Sequence, residues 1–406
     1  MPDTSKVANV PHTPDYDTYR CDHALTSASA DGSVVTLTWD DGRVSRYHAF
    51  WLRENEPSPL THNPDTREMK VTPLELPVAP AVSEPRIDAD GYLEIGFPDE
   101  GLTARYHPGW LRAHDYSHGG YADAALVEPF LWSSADLQEP PTFDGADFTD
   151  NAATQEAFLT AVASHGFARL RNTPTDLMYV DAFAATVGPV RDNNFGRLWD
   201  VRVEPDPQSN AYSSLELVPH SDLCTREYQP GLQVLHCIWN STPGGAATMV
   251  DGFRVAEDIR AEDPALFENL TTIDRTYTNR SRYTDYRWQS PPIVLHPDGS
   301  LKEMRIGAFL RGPTNQPFEM METIWQADRE LSRRISDRKY MISYRYAPGD
   351  LVMFDNRRLQ HGREAFDAAT GKRWLRGCYI EREELHSAIR MAARRRREAE
   401  LAGSQT

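Results

Sequence analysis

Apolar and polar positions alternate through the first hundred residues. Val34-Val35-Thr36-Leu37-Thr38-Trp39 leads into Asp40-Asp41-Gly42-Arg43, a tight-turn sequence, and out through Val44-Ser45-Arg46-Tyr47-His48. Period-two patterning around such a turn predicts a β-hairpin with one buried face. A second unit of the same design follows, with Tyr92 to Phe97, the turn Pro98-Asp99-Glu100-Gly101, and Leu102 to His107. Each unit ends in the same tripeptide, Trp51-Leu52-Arg53 and Trp110-Leu111-Arg112. The repetition predicts two related hairpins in one small N-terminal β-rich domain over 21–115. Before it, 1–20 is polar and proline-containing and is expected to be frayed. After it, Ser117-His118-Gly119-Gly120, Pro129 and Pro140-Pro141 mark 116–145 as a linker.

From Asp147 the period changes. Phe158, Leu159 and Val162 at helical spacing predict a helix from Asn151 to His165, with Gly166-Phe167-Ala168-Arg169-Leu170 as a first core strand. Further strands are expected at 231–237, 245–250, 341–346, 351–354 and 374–380. Helices are expected at 255–269, 318–336 and 383–401. Short strands with inserted helices predict a mainly β fold with peripheral helices (α+β), a jelly-roll catalytic domain over 146–406 that ends in a C-terminal helix.

Bulk properties narrow the classes. The chain has 406 residues and a formal net charge of -17, which argues against nucleic acid or an anionic membrane as a partner. No run approaches the roughly 18 apolar residues of a membrane span. Met1-Pro2-Asp3-Thr4 opens with neither a basic nor an apolar signal region. Cys21, Cys224, Cys237 and Cys378 lie far apart without a Cys-x-x-Cys pair, which suits a reducing cytoplasm.

The chemistry concentrates in His220-Ser221-Asp222 and in His361 about 140 residues on. Two imidazoles and one carboxylate are the facial ligand set of a non-heme Fe(II) oxygenase, which leaves positions for a bidentate 2-oxo acid and O2. A structural zinc would take four closed ligands, often thiolates. His220 and Asp222 are expected just after one strand and His361 on an opposing one. The distal carboxylate of a 2-oxo acid needs a cationic partner. Arg373, twelve positions after His361, stands in place for it, with Arg376 and Arg363 as rivals.

Several stretches together resemble the γ-butyrobetaine dioxygenase family. They are Pro219 to Asp222, Pro230 to Cys237, Gly244-Gly245, Val250 to Phe253, Phe354 to Arg363, Arg373 to Tyr379, and Phe50 to Asn55 in the small domain. The resemblance runs over nearly the whole chain from about residue 25. It implies an Fe(II)/2-oxoglutarate hydroxylase related to taurine dioxygenase, on a double-stranded β-helix, and commonly a homodimer. By position it implies His220, Asp222 and His361 as catalytic iron ligands, Arg373 on the 2-oxoglutarate carboxylate and Leu235 against the co-substrate.

Relatives acting on trimethylammonium compounds enclose the cation in aromatic rings, each worth about 0.5–2 kcal/mol by cation–π attraction. The matching residues are Phe195, Trp199, Tyr212 and Tyr379. At the anionic end the chain departs from the family. Ser209 stands at one asparagine position with Asn210 beside it, and Arg305 to Arg311 contains no asparagine. Either Asn210 serves the anion, or an arginine there, Arg311 the candidate, receives a bulkier one such as a phosphonate. The expected substrate is a small zwitterion of the γ-butyrobetaine type, extending to 2-trimethylammonioethylphosphonate. Glu56, Ser58 and Thr61 occupy the cysteine positions of the relatives' structural zinc, leaving only His107, so no zinc is expected. Two other readings remain open: an oxygenase of a neutral or sulfonated small molecule, and a non-catalytic jelly-roll sensor.

Overall fold

The computed structural model describes Tyr19 and residues 21–118, 127–203, 212–307 and 309–403. They form two compact units, Met1–Ala125 with the chain end from Ala393, and Leu126–Ala392.

The first unit realises the sequence repeat. Strands β1 (Leu25–Asp31), β2 (Val34–Trp39) and β3 (Val44–His48) form one antiparallel sheet. Strands β4 (Arg86–Ile87), β5 (Leu93–Phe97) and β6 (Leu102–Tyr106) form another. Each sheet runs into a short helix, α1 (Ala49–Glu54) or α2 (Pro108–Ala113), that carries the Trp-Leu-Arg tripeptide. Gly42 and Gly101 take positive φ at the two turns, where a Cβ would be strained.

The two halves then exchange contacts reciprocally. Trp51 stacks on Trp110 with ring centroids 5.2 Å apart. Arg53 pairs with Glu100 in the second turn, and Arg112 with Asp41 in the first. The Tyr47 hydroxyl donates to the Leu111 carbonyl of α2, and the Tyr106 hydroxyl to the Leu52 carbonyl of α1. Glu56, fully buried, accepts from the hydroxyls of Ser58 and Thr61, and Thr61 also accepts from Arg53. A hydrogen-bonded carboxylate thus fills this segment.

The second unit holds strands β7 (Thr142–Asp144), β8 (Phe167–Arg171), β9 (Trp199–Arg202), β10 (Leu217–His220), β11 (Leu232–Asn240) and β12 (Ala247–Asp251). The hairpins β13–β14 (Arg275–Arg280, Asp285–Ser290) and β15–β16 (Ile293–Leu295, Leu301–Met304) follow. Then come β17 (Met341–Tyr344), β18 (Leu351–Asp355), β19 (Leu359–Arg363) and β20 (Arg373–Ile380). A four-stranded sheet, β10-β19-β12-β17, faces a six-stranded one, β7-β8-β18-β11-β20-β9. This is the expected jelly roll.

Alternation sorts the side chains of every strand. Leu235, Cys237, Met249, Phe354, Leu359, Leu375 and Tyr379 meet between the sheets. Val234, Met353, Cys378 and Ile380 face out. They pack under α3 (Ala152–His165), α4 (Tyr179–Ala185) and the start of α8 (Arg382–Gly403). Helices α5 (Gly252–Glu262), α6 (Pro264–Thr272) and α7 (Met321–Ile335) pack around Val250, on the outward side of the smaller sheet.

Three expectations are corrected. The stretch taken as a linker contributes to the second unit: β7 pairs parallel with β8, and Trp132 is fully buried, its ring 5.4 Å from Phe167. The helix expected over 255–269 is two helices, because Asp263 caps α6 and Pro264 at its start has no N–H to continue α5. His361 lies on the strand adjacent to that of His220, not on an opposing one. No helix among the described residues is long and apolar enough to cross a membrane.

Candidate active site

The site starts from one register. β10 pairs with β19 so that His220 lies directly beside His361, their rings 4.4 Å apart. After His220 the chain turns, and Leu223 adopts φ +53, a strained value for a non-glycine residue. That turn brings Asp222 back: its Oδ1 lies 3.4 Å from His220 Nε2 and 3.7 Å from His361 Nε2. His220 Nδ1 hydrogen-bonds the Val218 carbonyl, which leaves Nε2 facing the cluster. These three ligand atoms lie within 4.8 Å of one another. Desolvation would raise the Asp222 carboxyl, but His361, His220 and a hydrogen bond from Tyr379 outweigh it and hold it well below the usual carboxylate range. Burial, aided by His220, pulls His361 down to about 4 and keeps its imidazole neutral, as a ligand must be.

Neighbours hold this geometry. Buried Asn356 accepts from the Asp222 backbone N–H at 2.8 Å and donates to the carbonyls of Asp222 and Pro230. The Ser221 hydroxyl bridges the Met304 carbonyl and Gln360. The Tyr379 hydroxyl donates to Asp222 Oδ2 at 2.7 Å. Gly362 lies so close to β10 that a Cβ would stand 2.5 Å from the Leu217 carbonyl.

The ligands line a cavity of about 730 Å³. Along β20 the inward positions are Arg373, Leu375, Gly377 and Tyr379, and this parity decides among the arginines. Arg376 points the other way and pairs with Asp200. Arg363 lines the cavity but donates to the carbonyls of Ser213 and Leu215. Arg373 lines it at 8% exposure; among the described residues it makes no ion pair and its Nε has no hydrogen-bond partner. Burial pulls its guanidinium below the usual arginine range. A buried, unpaired cation is costly and calls for an anion, and Leu235 lines the same cavity. Two imidazoles, a carboxylate and this orphaned arginine fit Fe(II) with a 2-oxo acid.

Phe195, Trp199 and Tyr379 line the same cavity, and the Trp199 and Tyr379 rings lie 5.0 Å apart. Gly377 makes room for the indole, since a Cβ there would stand 2.5 Å from it. Tyr212 is not among the lining residues, although it is near enough to Tyr379 to act on it electrostatically. Asn210 and Ser209 lie outside the described residues.

The arginine expectation is corrected. Arg305 is tied to Glu303 and to the carbonyls of Cys224, Arg226 and Glu227. Arg311 is exposed and lines a separate cavity of about 460 Å³. In its place the end of β13 and the turn after it supply Asn279, Ser281, Arg282 and Thr284 to the iron cavity, and among the described residues Arg282 makes no ion pair. The place of these residues and of Gln233 in the cavity wall, and the bonds of Asn356 to the Asp222 turn, were missed. The sequence signal for Gln233 is a polar residue at inward parity in an apolar strand.

Residues 133–379 match the taurine catabolism dioxygenase TauD, TfdA family, and residues 26–112 match the γ-butyrobetaine hydroxylase-like N-terminal family. The γ-butyrobetaine dioxygenase of a Pseudomonas species is 37% identical, over 92% of this chain and 98% of its own. The trimethyllysine dioxygenase of Meyerozyma guilliermondii is 24% identical, over 92% of this chain and 96% of its own. Among solved structures, PvcB, an Fe, α-ketoglutarate dependent oxygenase, is 20% identical with a TM-score of 0.44, covering 64% of this chain and 93% of that one. PvcB comes from Pseudomonas aeruginosa.

Proposed function

The chain belongs to the γ-butyrobetaine dioxygenase family within the TauD, TfdA dioxygenases, and we propose that it hydroxylates a methylene carbon of a small trimethylammonium zwitterion. It is an Fe(II)/2-oxoglutarate-dependent dioxygenase. Bound iron, with 2-oxoglutarate and O2, supplies the oxidising power, and the co-substrate leaves as succinate and CO2. The chain's own contribution is position. His220, Asp222 and His361 hold the metal, Arg373 takes the distal carboxylate, and Leu235 lies against the co-substrate's carbon chain.

The observation that carries the substrate reading is the pairing of opposite surfaces in one cavity with the metal ligands. Phe195, Trp199 and Tyr379 line the cavity with aromatic rings suited to a quaternary ammonium, with Tyr212 near Tyr379. Asn279, Ser281, Arg282 and Thr284 offer donors to an anion. Holding both ends chooses which C–H faces the metal. Of the three arginines lining the cavity, Arg282 alone is neither buried nor committed to carbonyls. A full positive charge favours a doubly charged head over a carboxylate, which supports 2-trimethylammonioethylphosphonate as substrate, with Asn210 a further contact. A cytoplasmic homodimer completes the reading; all four cysteines are free, as in a reducing compartment.

The test is substrate-dependent succinate formation across γ-butyrobetaine, its phosphonate analogue, a neutral isostere and a sulfonate. The phosphonate is expected to give the highest kcat/KM, falling about tenfold or more in Arg282→Gln. Turnover with the sulfonate but with no trimethylammonium compound would sink the reading.

A further inference from the structure

One buried polar side chain in the cavity has no task in the site as described. Gln233 is 2% exposed and lines the cavity, and among the described residues its Oε1 has no hydrogen-bond partner. Its place is set by register. On β11 it pairs with Phe354 of β18 on one side and Tyr379 of β20 on the other. The Phe354 ring lies 4.8 Å from that of His361, and the Tyr379 hydroxyl bonds Asp222. Both neighbours therefore touch metal ligands. Gln233 stands at the metal end of the cavity, six residues along β20 from Arg373.

A buried amide without a partner is a standing cost. A leucine or methionine would fill the space without it, as Leu235 does two positions on. The amide is therefore matched to a ligand. It offers two N–H donors and one carbonyl acceptor, and a half-turn of its last torsion exchanges the two ends. A quaternary ammonium has no N–H to give the carbonyl. The carboxylate and keto oxygens of a 2-oxo acid are acceptors only, so it is the N–H end that can bind them, while the carbonyl Oε1 gains no partner from them. Being neutral, the amide adds donors to a cavity that already holds Arg282, Arg363 and Arg373 without adding a further charge.

We propose that Gln233 binds the co-substrate: its amide N–H groups donate to the 1-carboxylate of 2-oxoglutarate at the metal, while Arg373 takes the distal carboxylate. Two anchored ends fix how the 2-oxo acid sits against His220, Asp222 and His361. The inference rests on the cavity holding Fe(II) and 2-oxoglutarate.

The test is an anaerobic titration of the Fe(II)-loaded full chain with 2-oxoglutarate, followed by the charge-transfer absorption of the metal–2-oxo acid chelate. Iron loading and the melting temperature of the metal-free protein are measured separately. Gln233→Leu is expected to load iron as the parent does, to melt no lower, and to bind 2-oxoglutarate about tenfold more weakly with a shifted band. Gln233→Glu, which sets a carboxylate against the 1-carboxylate, is expected to bind more weakly still. Parent-like affinity and an unshifted band in both variants would overturn the proposal. So would a clearly lower melting temperature of metal-free Gln233→Leu, which would make the amide a structural element. Absence of the band in the parent protein would instead overturn the iron and 2-oxoglutarate reading on which the proposal stands.

Discussion

The two units treat buried polar groups in opposite ways. In the first, Asp115 is fully buried and accepts from Arg43, Ser45 and Ser117. Glu56 is held by two hydroxyls, and Tyr47 and Tyr106 each find a carbonyl. Among the described residues, no buried side-chain polar atom of that unit lacks a partner. Between the sheets of the second, Trp199 Nε1, Gln233 Oε1, His361 Nδ1 and Arg373 Nε have none. Satisfied polar groups specify a fold, whereas unsatisfied ones in a cavity are complementary to something that binds. Removing the first kind should cost stability, and removing the second should cost binding and leave stability unharmed.

Arg373 gives the largest contrast. Arg373→Leu is expected to weaken 2-oxoglutarate binding by about a hundredfold or more, as loss of a buried charge partner does. The same change removes an uncompensated buried cation, so the metal-free protein should unfold at an equal or higher temperature. Isothermal titration with 2-oxoglutarate and a melting curve on one sample check both halves. A drop in melting temperature with unchanged affinity would break the contrast at its strongest point.

Asp115 is the counterpart in the first unit. Asp115→Ala leaves Arg43, Ser45 and Ser117 without their acceptor and is expected to cost about 2–3 kcal/mol, less than a wholly buried pair because Arg43 is part-exposed. Iron loading and 2-oxoglutarate affinity should not change. The loss should also depend on pH. Burial alone would raise the Asp115 carboxyl, but Ser117, Ser45 and Arg43 outweigh it and hold it below the ordinary value. Its stabilisation is therefore full above the unfolded value of about 3.9 and fades as the pH falls below it. Urea unfolding of parent and variant at pH 7 and pH 3 should show the gap narrowing in acid. A gap that widened would mean that the carboxyl is not held in its charged form.

The same distinction explains what could be read before the structure. Hairpins and their repeat were legible because period-two patterning meets an unambiguous turn at Asp41-Gly42. The candidate metal cluster was legible because His220-Ser221-Asp222 and His361 are chemically specific residues in a fixed order. Arg373 was separable from Arg376 only through strand parity, which requires knowing where β20 starts. Trp132 was taken for linker because prolines flank it, and nothing local shows that its indole enters the core. The β13–β14 wall was invisible because Asn279, Ser281 and Thr284 are what any exposed turn would carry. Their value lies in standing opposite residues more than 50 positions away in the chain.

The smallest predicted effect tests the most detailed structural claim, that the two halves of the first unit are equivalent. Tyr47 reaches the Leu111 carbonyl of α2, and Tyr106 reaches the Leu52 carbonyl of α1. Both tyrosines are fully buried, and both bonds join a hairpin to the other repeat's Trp-Leu-Arg helix. Removing either hydroxyl leaves one buried carbonyl without that donor and changes little else, so Tyr47→Phe and Tyr106→Phe should each cost about 1 kcal/mol. The sharper expectation is their equality, to within a few tenths of a kcal/mol in urea unfolding, with near-additive loss in the double variant, because the bonds share neither donor nor acceptor. One charge beside Tyr47 bears on that equality. Asp115 lies near Tyr47 and helps keep its phenol neutral, after burial itself. If that carboxylate also strengthens the Tyr47 hydrogen bond, Tyr47→Phe will cost the more, and the excess should vanish in an Asp115→Ala background. Equal costs in both backgrounds would mean that the repeat is symmetric in energy as well as in shape.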